Sequence, residues 1–190
     1  MGTRIQNVKQ QDWNGLHFRS SLEAQTAKIL NMLGIPFKYE ERKLTLQEGF
    51  RSPFQKDKIR AVSYTPDFEI GNIMLECKGF ETPEWKIKKK LLFKYLADNE
   101  PHIIFYQIHD SKKSLLEVLD KHWRELGYNI QVIEKPTKKL IFEPLYFDSI
   151  HQAIEALNLK CRSIGMILNS LIGNKEYILG YNWKLIKLND

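Results

Sequence analysis

The sequence predicts a mixed α/β fold, in which helices cover a β-sheet and a small helical domain follows toward the C-terminal end. Strand-like and helix-like segments alternate from about residue 37 to residue 133, which is typical of such a layered fold. A hairpin predicted over residues 64–79 carries apolar side chains on both faces, so we expect both faces of the sheet to be covered. Two short segments near the C-terminal end have the apolar spacing of paired helices.

Length, charge and cysteine content narrow the function classes. The 190 residues suffice for one full domain and a small appendage, and 43% hydrophobic content suffices for a packed core. The net charge of +6 favours a polyanionic partner. Two cysteines, Cys77 and Cys161, supply neither a disulfide framework nor zinc-ligand spacing. With no secretory signal and no apolar run approaching ~20 residues, we expect a cytoplasmic protein with no membrane partner.

The elements can be predicted in chain order. A first helix begins at Ser20 and continues to about Leu33, where Gly34 stops it. A second helix begins after the hairpin, with Thr82 as cap and Pro83 at its first position. Its predicted apolar stripe comprises Ile87, Leu91, Leu92 and Tyr95, and its basic stripe comprises Lys86, Lys90 and Lys94. The other core elements are strands over residues 37–46, 102–108 and 129–133, and a helix over residues 111–126.

Composition divides the chain into four parts. Residues 1–17 show little periodicity and are interpreted as an N-terminal arm. The core spans residues 18–134, and the charged, proline-containing stretch 135–143 is the best linker. Residues 144–190 form the small C-terminal domain.

The hairpin organises the predicted core. Gly71-Asn72 is a Gly-first pair suited to a two-residue primed turn. If that pair forms the loop, Ile70 pairs with Ile73, and counting outward places Asp67 directly opposite Glu76. Like charges that face each other across an antiparallel pair destabilise a sheet, so this pair needs a physical reason.

A divalent cation between the two carboxylates supplies that reason. Side chains alternate along a strand, so Lys78 lies on the same face as Glu76 and Asp67. Carboxylate, carbonyl and water oxygens suit Mg²⁺ or Mn²⁺. The competing interpretation is a solvated outer face, which is the usual place for charged strand residues. The apolar residues on both faces of the hairpin argue against it: Phe68, Ile70, Ile73, Leu75 and Cys77.

These residues also carry a resemblance. Pro66-Asp67 followed by Glu76-Cys77-Lys78 resembles the signature of the PD-(D/E)XK nuclease superfamily. From about residue 18 to residue 106 the chain is similar to the phage endonuclease I family of Holliday-junction resolvases. The segments that carry this similarity are Phe18-Arg19-Ser20-Ser21-Leu22-Glu23, Phe37-Lys38-Tyr39-Glu40-Glu41, Tyr64-Thr65-Pro66-Asp67-Phe68 and Glu76-Cys77-Lys78-Gly79. The resemblance implies a restriction-endonuclease-like mixed sheet flanked by helices.

The resemblance also implies roles for the site residues. Asp67 and Glu76 would hold Mg²⁺ or Mn²⁺, with the backbone carbonyl of Cys77 as a further ligand. Lys78 would orient the attacking water or neutralise charge on the phosphorus. Glu23 matches the family's helix glutamate and would complete a second metal position. Local sequence offers another role for Glu23, because Ser20 and Glu23 have the spacing of a helix capping box.

The C-terminal segment resembles the nuclease-associated modular domains of homing endonucleases. Residues 147–157 predict one short helix, and Ser163 is predicted to cap a second, in the manner of a helix-turn-helix. From Pro144 to Asp190 there are five basic and four acidic residues, so this segment is nearly neutral. A packing or dimerisation module is therefore the alternative to a DNA reader.

Candidate DNA contacts are distributed over the chain. The basic segment 49–60 is a loop or long hairpin connection whose charges either are simply solvated or track a phosphate backbone. Lysines of the second helix are at least solubilising and are placed to reach phosphates. The candidate DNA-binding residues are Arg19, Ser20, Arg51, Lys86, Lys90, Arg162, Ser163 and Asn169.

The sequence thus predicts a metal-dependent DNA endonuclease. The endonuclease I resemblance favours branched DNA, especially four-way junctions, and implies a homodimer that makes paired cuts. Alternatives are a site-specific endonuclease of homing type that acts on specific duplex DNA, an endonuclease subunit of a heteromeric transposase, and a DNA-binding protein that does not cleave.

Overall fold

The computed structural model describes residues 10–136, 143–160, 164–173 and 175–188. Within these ranges the protein is a mixed α/β structure, and none of their helices is long and apolar enough to cross a membrane. The elements in chain order are β1 (Gln11–Trp13), β2 (Leu16–Phe18), α1 (Ser21–Met32), β3 (Lys38–Tyr39), β4 (Leu44–Gln47), β5 (Val62–Tyr64), β6 (Phe68–Ile70), β7 (Ile73–Cys77), α2 (Pro83–Asn99), β8 (Ile104–Ile108), α3 (Lys113–Asp120), β9 (Tyr128–Glu134), β10 (Leu145–Phe147), α4 (Ile150–Ala156), α5 (Gly165–Leu171) and β11 (Tyr181–Lys187).

Contacts group the chain into two compact units. Pro36–His109 forms one, and the residues up to Ile35 together with those from Asp110 onward form the other. The Pro36–His109 unit contains a four-stranded sheet in the order β3-β6-β7-β8. In it β6 runs antiparallel to β3 and β7, whereas β7 runs parallel to β8. This sheet is therefore mixed, as predicted.

The β6–β7 hairpin has the predicted register. Gly71 has a φ of 57°, a backbone conformation that the first position of a primed turn requires and that glycine adopts without a steric penalty. Ile70 pairs with Ile73, and the pairing continues to Phe68 and Leu75. All five residues of β7 are buried, which confirms that the hairpin is covered on both faces.

Helix α2 begins as the sequence predicts. The Thr82 hydroxyl accepts a hydrogen bond from the Trp85 amide at 3.2 Å, and Pro83 occupies the first turn. The predicted apolar stripe is partly wrong, because Ile87 is 64% exposed and the buried face starts at Trp85 instead. One core cluster of this unit, which includes buried residues of α2, contains Leu44, Tyr64, Met74, Trp85, Leu92 and Leu96.

Several predicted elements are shorter than expected. The strand predicted over residues 37–46 is two strands, β3 and β4, separated by Glu40, whose positive φ of 48° interrupts extended backbone. The helix predicted over residues 111–126 ends at Asp120. Residues 11–17, which were expected to belong to an N-terminal arm of little periodicity, instead form the β1–β2 hairpin together with Phe18. Its Asn14-Gly15 loop has positive φ at both positions, the sequence signature of a type I′ turn.

The C-terminal segment shares a sheet with earlier residues. Strand β9 lies between β10 and β11, and β11 pairs with β9 from Tyr181 opposite Glu134 to Lys187 opposite Tyr128. Residues 144–190, predicted as a domain of their own, therefore supply two of the three strands in this sheet. Most of the predicted linker, residues 137–142, lies outside the described residues.

The two short C-terminal helices are present. Ser149 caps α4, with its hydroxyl accepting from the Gln152 amide at 3.0 Å, and Ile150 and Ala153 are fully buried. Helix α5 has Ile164 as its cap residue, without a side-chain cap hydrogen bond. The predicted cap, Ser163, lies outside the described residues.

Candidate active site

Asp67 stands immediately before β6 and reaches across the hairpin. Its Oδ2 accepts a hydrogen bond of 2.7 Å from the Cys77 amide, and its carbonyl accepts from the Glu40 amide at 3.2 Å. Continuation of the β6–β7 register by one pair places Asp67 opposite Glu76, because the paired part of the two strands ends one step inside them, at Phe68 and Leu75. The opposition of the two carboxylates is thus a consequence of the two-residue turn.

Glu76 is a buried carboxylate with two donors. Its Oε2 accepts a 2.8 Å hydrogen bond from the Tyr64 hydroxyl, and its Oε1 lies 3.2 Å from the Lys78 Nζ. Burial of a carboxylate without such partners costs several kcal/mol (~2 or more), so these contacts are what allow a charge at this position. The Glu76–Lys78 ion pair also confirms that the two side chains share one face of β7.

Tyr64 is a member of the site that the sequence did not single out. Burial raises the pKa of its phenol, and the neighbouring Glu76 carboxylate raises this pKa further. The phenol therefore stays protonated and acts as a donor to Glu76. The residue lies on β5, which belongs to a different sheet from β7, so no local pattern placed its hydroxyl against that carboxylate.

Lys78 is held by its backbone while its ammonium group reaches solvent. Its amide donates to the Ile108 carbonyl at 2.9 Å, and its carbonyl accepts from Nδ1 of His109. The Nζ lies 5.1 Å from the centroid of the Trp85 ring, within the range of a cation–π contact. One third of the Lys78 side chain is exposed, against 6% for Glu76. The site therefore opens to solvent on the side of the lysine.

A chain of polar contacts supports that lysine. Gln107 on β8 is the register partner of Glu76 on β7, and its Oε1 accepts from Trp85 Nε1 at 2.9 Å. The same oxygen lies 3.4 Å from Lys89 Nζ, which also pairs with Glu81. The sequence interpretation missed all of these residues. Only the parallel pairing of β7 with β8, across the intervening helix α2, brings them together.

Glu23 occupies the capping position that local sequence predicted. Its amide donates to Ser20 Oγ at 3.2 Å, and the Ser20 hydroxyl donates to Glu23 Oε1 at 2.7 Å. The Arg19 amide donates to Glu23 Oε2 at 3.0 Å. Glu23 is buried on α1, in the unit that includes the residues before Ile35. Its part in metal binding stays a prediction.

The predicted DNA contacts fall into three groups. Arg19 and the three basic candidates of the Pro36–His109 unit are exposed, whereas Ser20 and Asn169 are half-buried. Arg162 and Ser163 lie outside the described residues. The exposed basic candidates in the Pro36–His109 unit are Arg51, Lys86 and Lys90.

The donor set of the site fits a hard divalent cation. No cluster of three or more His, Cys, Asp or Glu side chains suited to a metal occurs among the described residues. Mg²⁺ does not need one, since it is usually bound through one or two carboxylates and keeps several water ligands. Asp67 and Glu76 supply two carboxylates of this kind, and the Lys78 ammonium lies beside Glu76.

Comparisons of the chain with protein-family models, with curated proteins and with solved structures gave no match.

Proposed function

We propose that this protein is a divalent-metal-dependent DNA endonuclease that hydrolyses phosphodiester bonds, with branched DNA as its substrate. One observation carries the proposal. Continued by one pair beyond Phe68 and Leu75, the β6–β7 register sets Asp67 opposite Glu76, whose Oε1 lies 3.2 Å from the Lys78 ammonium nitrogen. Facing acids destabilise a sheet unless a cation or another function compensates for them. A restriction-endonuclease-like fold for the core is part of this proposal.

Each site residue has a role in this reaction. Asp67 and Glu76 would hold Mg²⁺ or Mn²⁺, with the Cys77 carbonyl as a further oxygen ligand. When bound, such an ion polarises a phosphoryl oxygen and lowers the pKa of a coordinated water. Tyr64 keeps a hydrogen bond on one oxygen of Glu76, which orients that carboxylate. Glu23 is proposed to complete a second metal position.

Lys78 supplies positive charge where the reaction develops negative charge. Its ammonium carries three donors on a flexible stem and is partly exposed, so a phosphate oxygen can approach it. The Trp85 ring and Glu76 limit the directions in which it can point. We assign it to orienting the attacking water or stabilising the pentavalent phosphorus.

Charge and exposure support a nucleic-acid substrate. The chain has a net charge of +6, and α2 presents Lys86, Lys90 and Lys94 on its exposed surface. Branched DNA is recognised by shape and backbone contacts rather than by base edges, and exposed lysine side chains suit phosphate contacts of this kind. Two paired cuts in a junction need two sites, so the functional form is proposed to be a homodimer.

A substrate panel tests this function. Purified protein is incubated with Mg²⁺ and either a synthetic four-way junction or a linear duplex of the same sequence, with EDTA as the metal-free arm. We expect Mg²⁺-dependent cutting of the junction and sparing of the duplex. Cutting of the duplex at one sequence would instead identify a site-specific nuclease. No cutting of any substrate by folded protein with Mg²⁺ or Mn²⁺ would refute the endonuclease assignment.

A substitution of Lys78 tests its catalytic role most directly. Lys78→Ala should lower the cleavage rate at least about 100-fold, because it removes charge stabilisation present only in the transition state, while junction binding persists. Lys113→Ala, at an exposed lysine in the first turn of α3, is the matched control and should cut at the wild-type rate. Wild-type cleavage in Lys78→Ala would remove its catalytic role.

A site-specific endonuclease of homing type is the second candidate. The observation that favours it is the α4–α5 pair, two short helices in the segment that resembles DNA-reading modules. Deletion from Pro144 onward would remove β10 and β11, the two strands that pair with β9, so point variants are the better test. Asn169→Ala should change the cut position or weaken binding to one sequence if α5 reads DNA. Unchanged cutting would leave α4 and α5 as packing elements.

A further inference from the structure

The connection between β4 and β5 is an ordered arm. We define the arm as residues 48–61. Phe50 and Ile59 exchange backbone hydrogen bonds of 3.0 and 2.8 Å, which extend the β4–β5 pairing beyond the two strands. A Cβ added to Gly49 would lie 2.9 Å from the Ile59 carbonyl oxygen and 3.0 Å from the Ala61 nitrogen. Glycine at this position therefore lets the two sides of the arm approach closely.

The tip of the arm holds one aromatic side chain in solvent. Residues Ser52 to Gln55 form a turn, which the Gln55 amide closes by donating to the Ser52 carbonyl at 3.5 Å. Pro53 restricts the backbone at the second position of this turn. Ser52 Oγ accepts a 3.2 Å hydrogen bond from the Phe54 amide. Phe54 itself is 95% exposed, more than any other large apolar side chain that is exposed in the described ranges. The ring is thus presented on a locally braced turn and packs against nothing.

Basic residues flank Phe54 in the sequence of the arm. The arm contains four basic residues against two acidic ones, Glu48 and Asp57. All four basic side chains are exposed: Arg51, Lys56, Lys58 and Arg60. An exposed aromatic ring between basic side chains matches nucleic acid with accessible bases, because the charges bind phosphates and the ring stacks on a base face. The large apolar side chains that the arm exposes are Phe54 and Phe50, which make a small apolar face for membrane binding.

The arm is joined through strand β5 to a residue of the candidate active site. Strand β5, which continues the arm, ends at Tyr64, and the Tyr64 hydroxyl donates to Glu76. The chain from Phe54 to Tyr64 spans at most roughly 35 Å when fully extended. One turn of B-DNA is about 34 Å long. A base in contact with Phe54 and a phosphate at Glu76 can therefore belong to the same DNA substrate, within a turn of each other.

We propose that the arm is a binding site for unstacked bases, in which Phe54 stacks on a base at a branch point or other unpaired position. The arginines and lysines of the arm hold the flanking phosphates. Bases inside an intact duplex are already stacked on their neighbours, so the ring gains contact only where the stack is interrupted. This inference rests on the proposed function for the identity of the polymer, DNA, and adds the feature of the DNA that is recognised.

Binding without cleavage tests the arm. Full-length protein is titrated in EDTA, where no strand is cut, into a four-way junction with 2-aminopurine at the branch point and into a matched duplex. Phe54→Ala should weaken junction binding roughly five- to hundredfold and leave duplex binding within about twofold. Phe54→Trp should retain the affinity for the junction. It should also retain the change in 2-aminopurine fluorescence that the wild-type protein produces on binding. Tyr146→Ala, at an exposed aromatic residue on β10, is the control and should change neither the junction affinity nor the duplex affinity.

The basic residues of the arm predict a different pattern. Arg51→Ala and Lys58→Ala should weaken binding to junction and duplex alike, and each should reduce the slope of log affinity against log salt by about one. Gly49→Ala should weaken junction binding as Phe54→Ala does, because it separates the two sides of the arm. A Gly49→Ala protein that binds like wild type would show that the tip geometry is irrelevant.

Three results would overturn the inference. Equal losses for junction and duplex in Phe54→Ala would leave only phosphate binding, and unchanged junction affinity would leave no DNA role for the ring. If Phe54→Ala instead turns a dimer into a monomer in sedimentation, the ring contacts a second copy of the chain. The inference and the proposed function fail separately. Phe54-dependent junction binding without Mg²⁺-dependent cutting refutes the nuclease alone, and cutting that is indifferent to Phe54 refutes the arm alone.

Discussion

Two hairpins of the Pro36–His109 unit differ in where their side chains lie. The β6–β7 hairpin turns in two residues and buries every residue of β7, including the charged Glu76. The arm has a longer connection and leaves Phe54 and its basic side chains in solvent. A buried charge must be compensated by neighbours, and an exposed aromatic ring must gain its contacts from something outside the chain. We therefore assign the proposed chemistry to the first hairpin and the proposed DNA binding to the second.

The largest expected effect is on stability. Leu75→Ala in β7 removes a fully buried side chain, so the free energy of unfolding should fall by about 2–5 kcal/mol. Phe54→Ala removes a larger side chain at the tip of the arm, but it should change the free energy of unfolding by no more than about 0.5 kcal/mol. Urea denaturation measures both. Similar losses in the two variants would show that the arm is packed in solution and would break the contrast.

The next effect concerns the hydroxyl that supports the buried acid. Tyr64→Phe leaves Glu76 Oε2 without this donor, so the free energy of unfolding at neutral pH should fall by about 1–3 kcal/mol. Tyr146→Phe is the control: this tyrosine is exposed, so loss of its hydroxyl, which accepts from Gln131 at 2.9 Å, should change the free energy of unfolding by no more than about 0.5 kcal/mol. A neutral Tyr64→Phe would show that Glu76 is satisfied without this bond.

The same variant has a pH signature. The unfolded Tyr64 phenol ionises near pH 10, whereas burial and Glu76 hold its folded-state pKa above that value. The unfolded state therefore loses this proton first, and the stability that Tyr64 contributes is complete below about pH 10 and declines above it, by up to about 1.4 kcal/mol per pH unit. Denaturation between pH 8 and 11 should show the gap between wild type and Tyr64→Phe narrowing above pH 10. A constant gap would contradict the raised pKa.

The smallest effect tests the support of the site lysine. Trp85→Phe keeps a ring near Lys78 but removes the Nε1 hydrogen bond to Gln107. Cation–π contacts are worth about 0.5–1 kcal/mol at exposed sites, so kcat for cleavage should fall roughly two- to fivefold with little change in KM. Trp13→Phe, at a half-buried tryptophan on β1, is the matched control. A change in KM alone would assign Trp85 to substrate binding instead.

Local patterns predicted much of the fold and the centre of the candidate site. The helix caps at Ser20 and Thr82 could be predicted because each side chain bonds an amide three residues away. The register of β6 and β7 was readable because a two-residue turn leaves a single way to pair the strands. The β1–β2 hairpin was missed although Asn14-Gly15 carries the same kind of signal.

Other features depend on residues far apart in sequence. Strand β9 finds β11 across a long separation, which no periodicity of either strand specifies. The buried face of α2 begins at Trp85 rather than at Ile87. Apolar residues occur on more than one side of this helix, so its packing in the unit determines which side is buried. The metal role of Glu23 and the homodimer remain predictions.

The sequence by itself determined the opposition of Asp67 and Glu76, with Lys78 one step along the same face. A tight turn and the two-residue period of a strand are local constraints, so they act before any other element is in place. Only the tertiary structure decided how the buried Glu76 is compensated, by Tyr64 from another strand pair, and how Lys78 is braced, by Trp85 and Gln107. Those contacts depend on how sheet and helix pack, which no short stretch of sequence specifies.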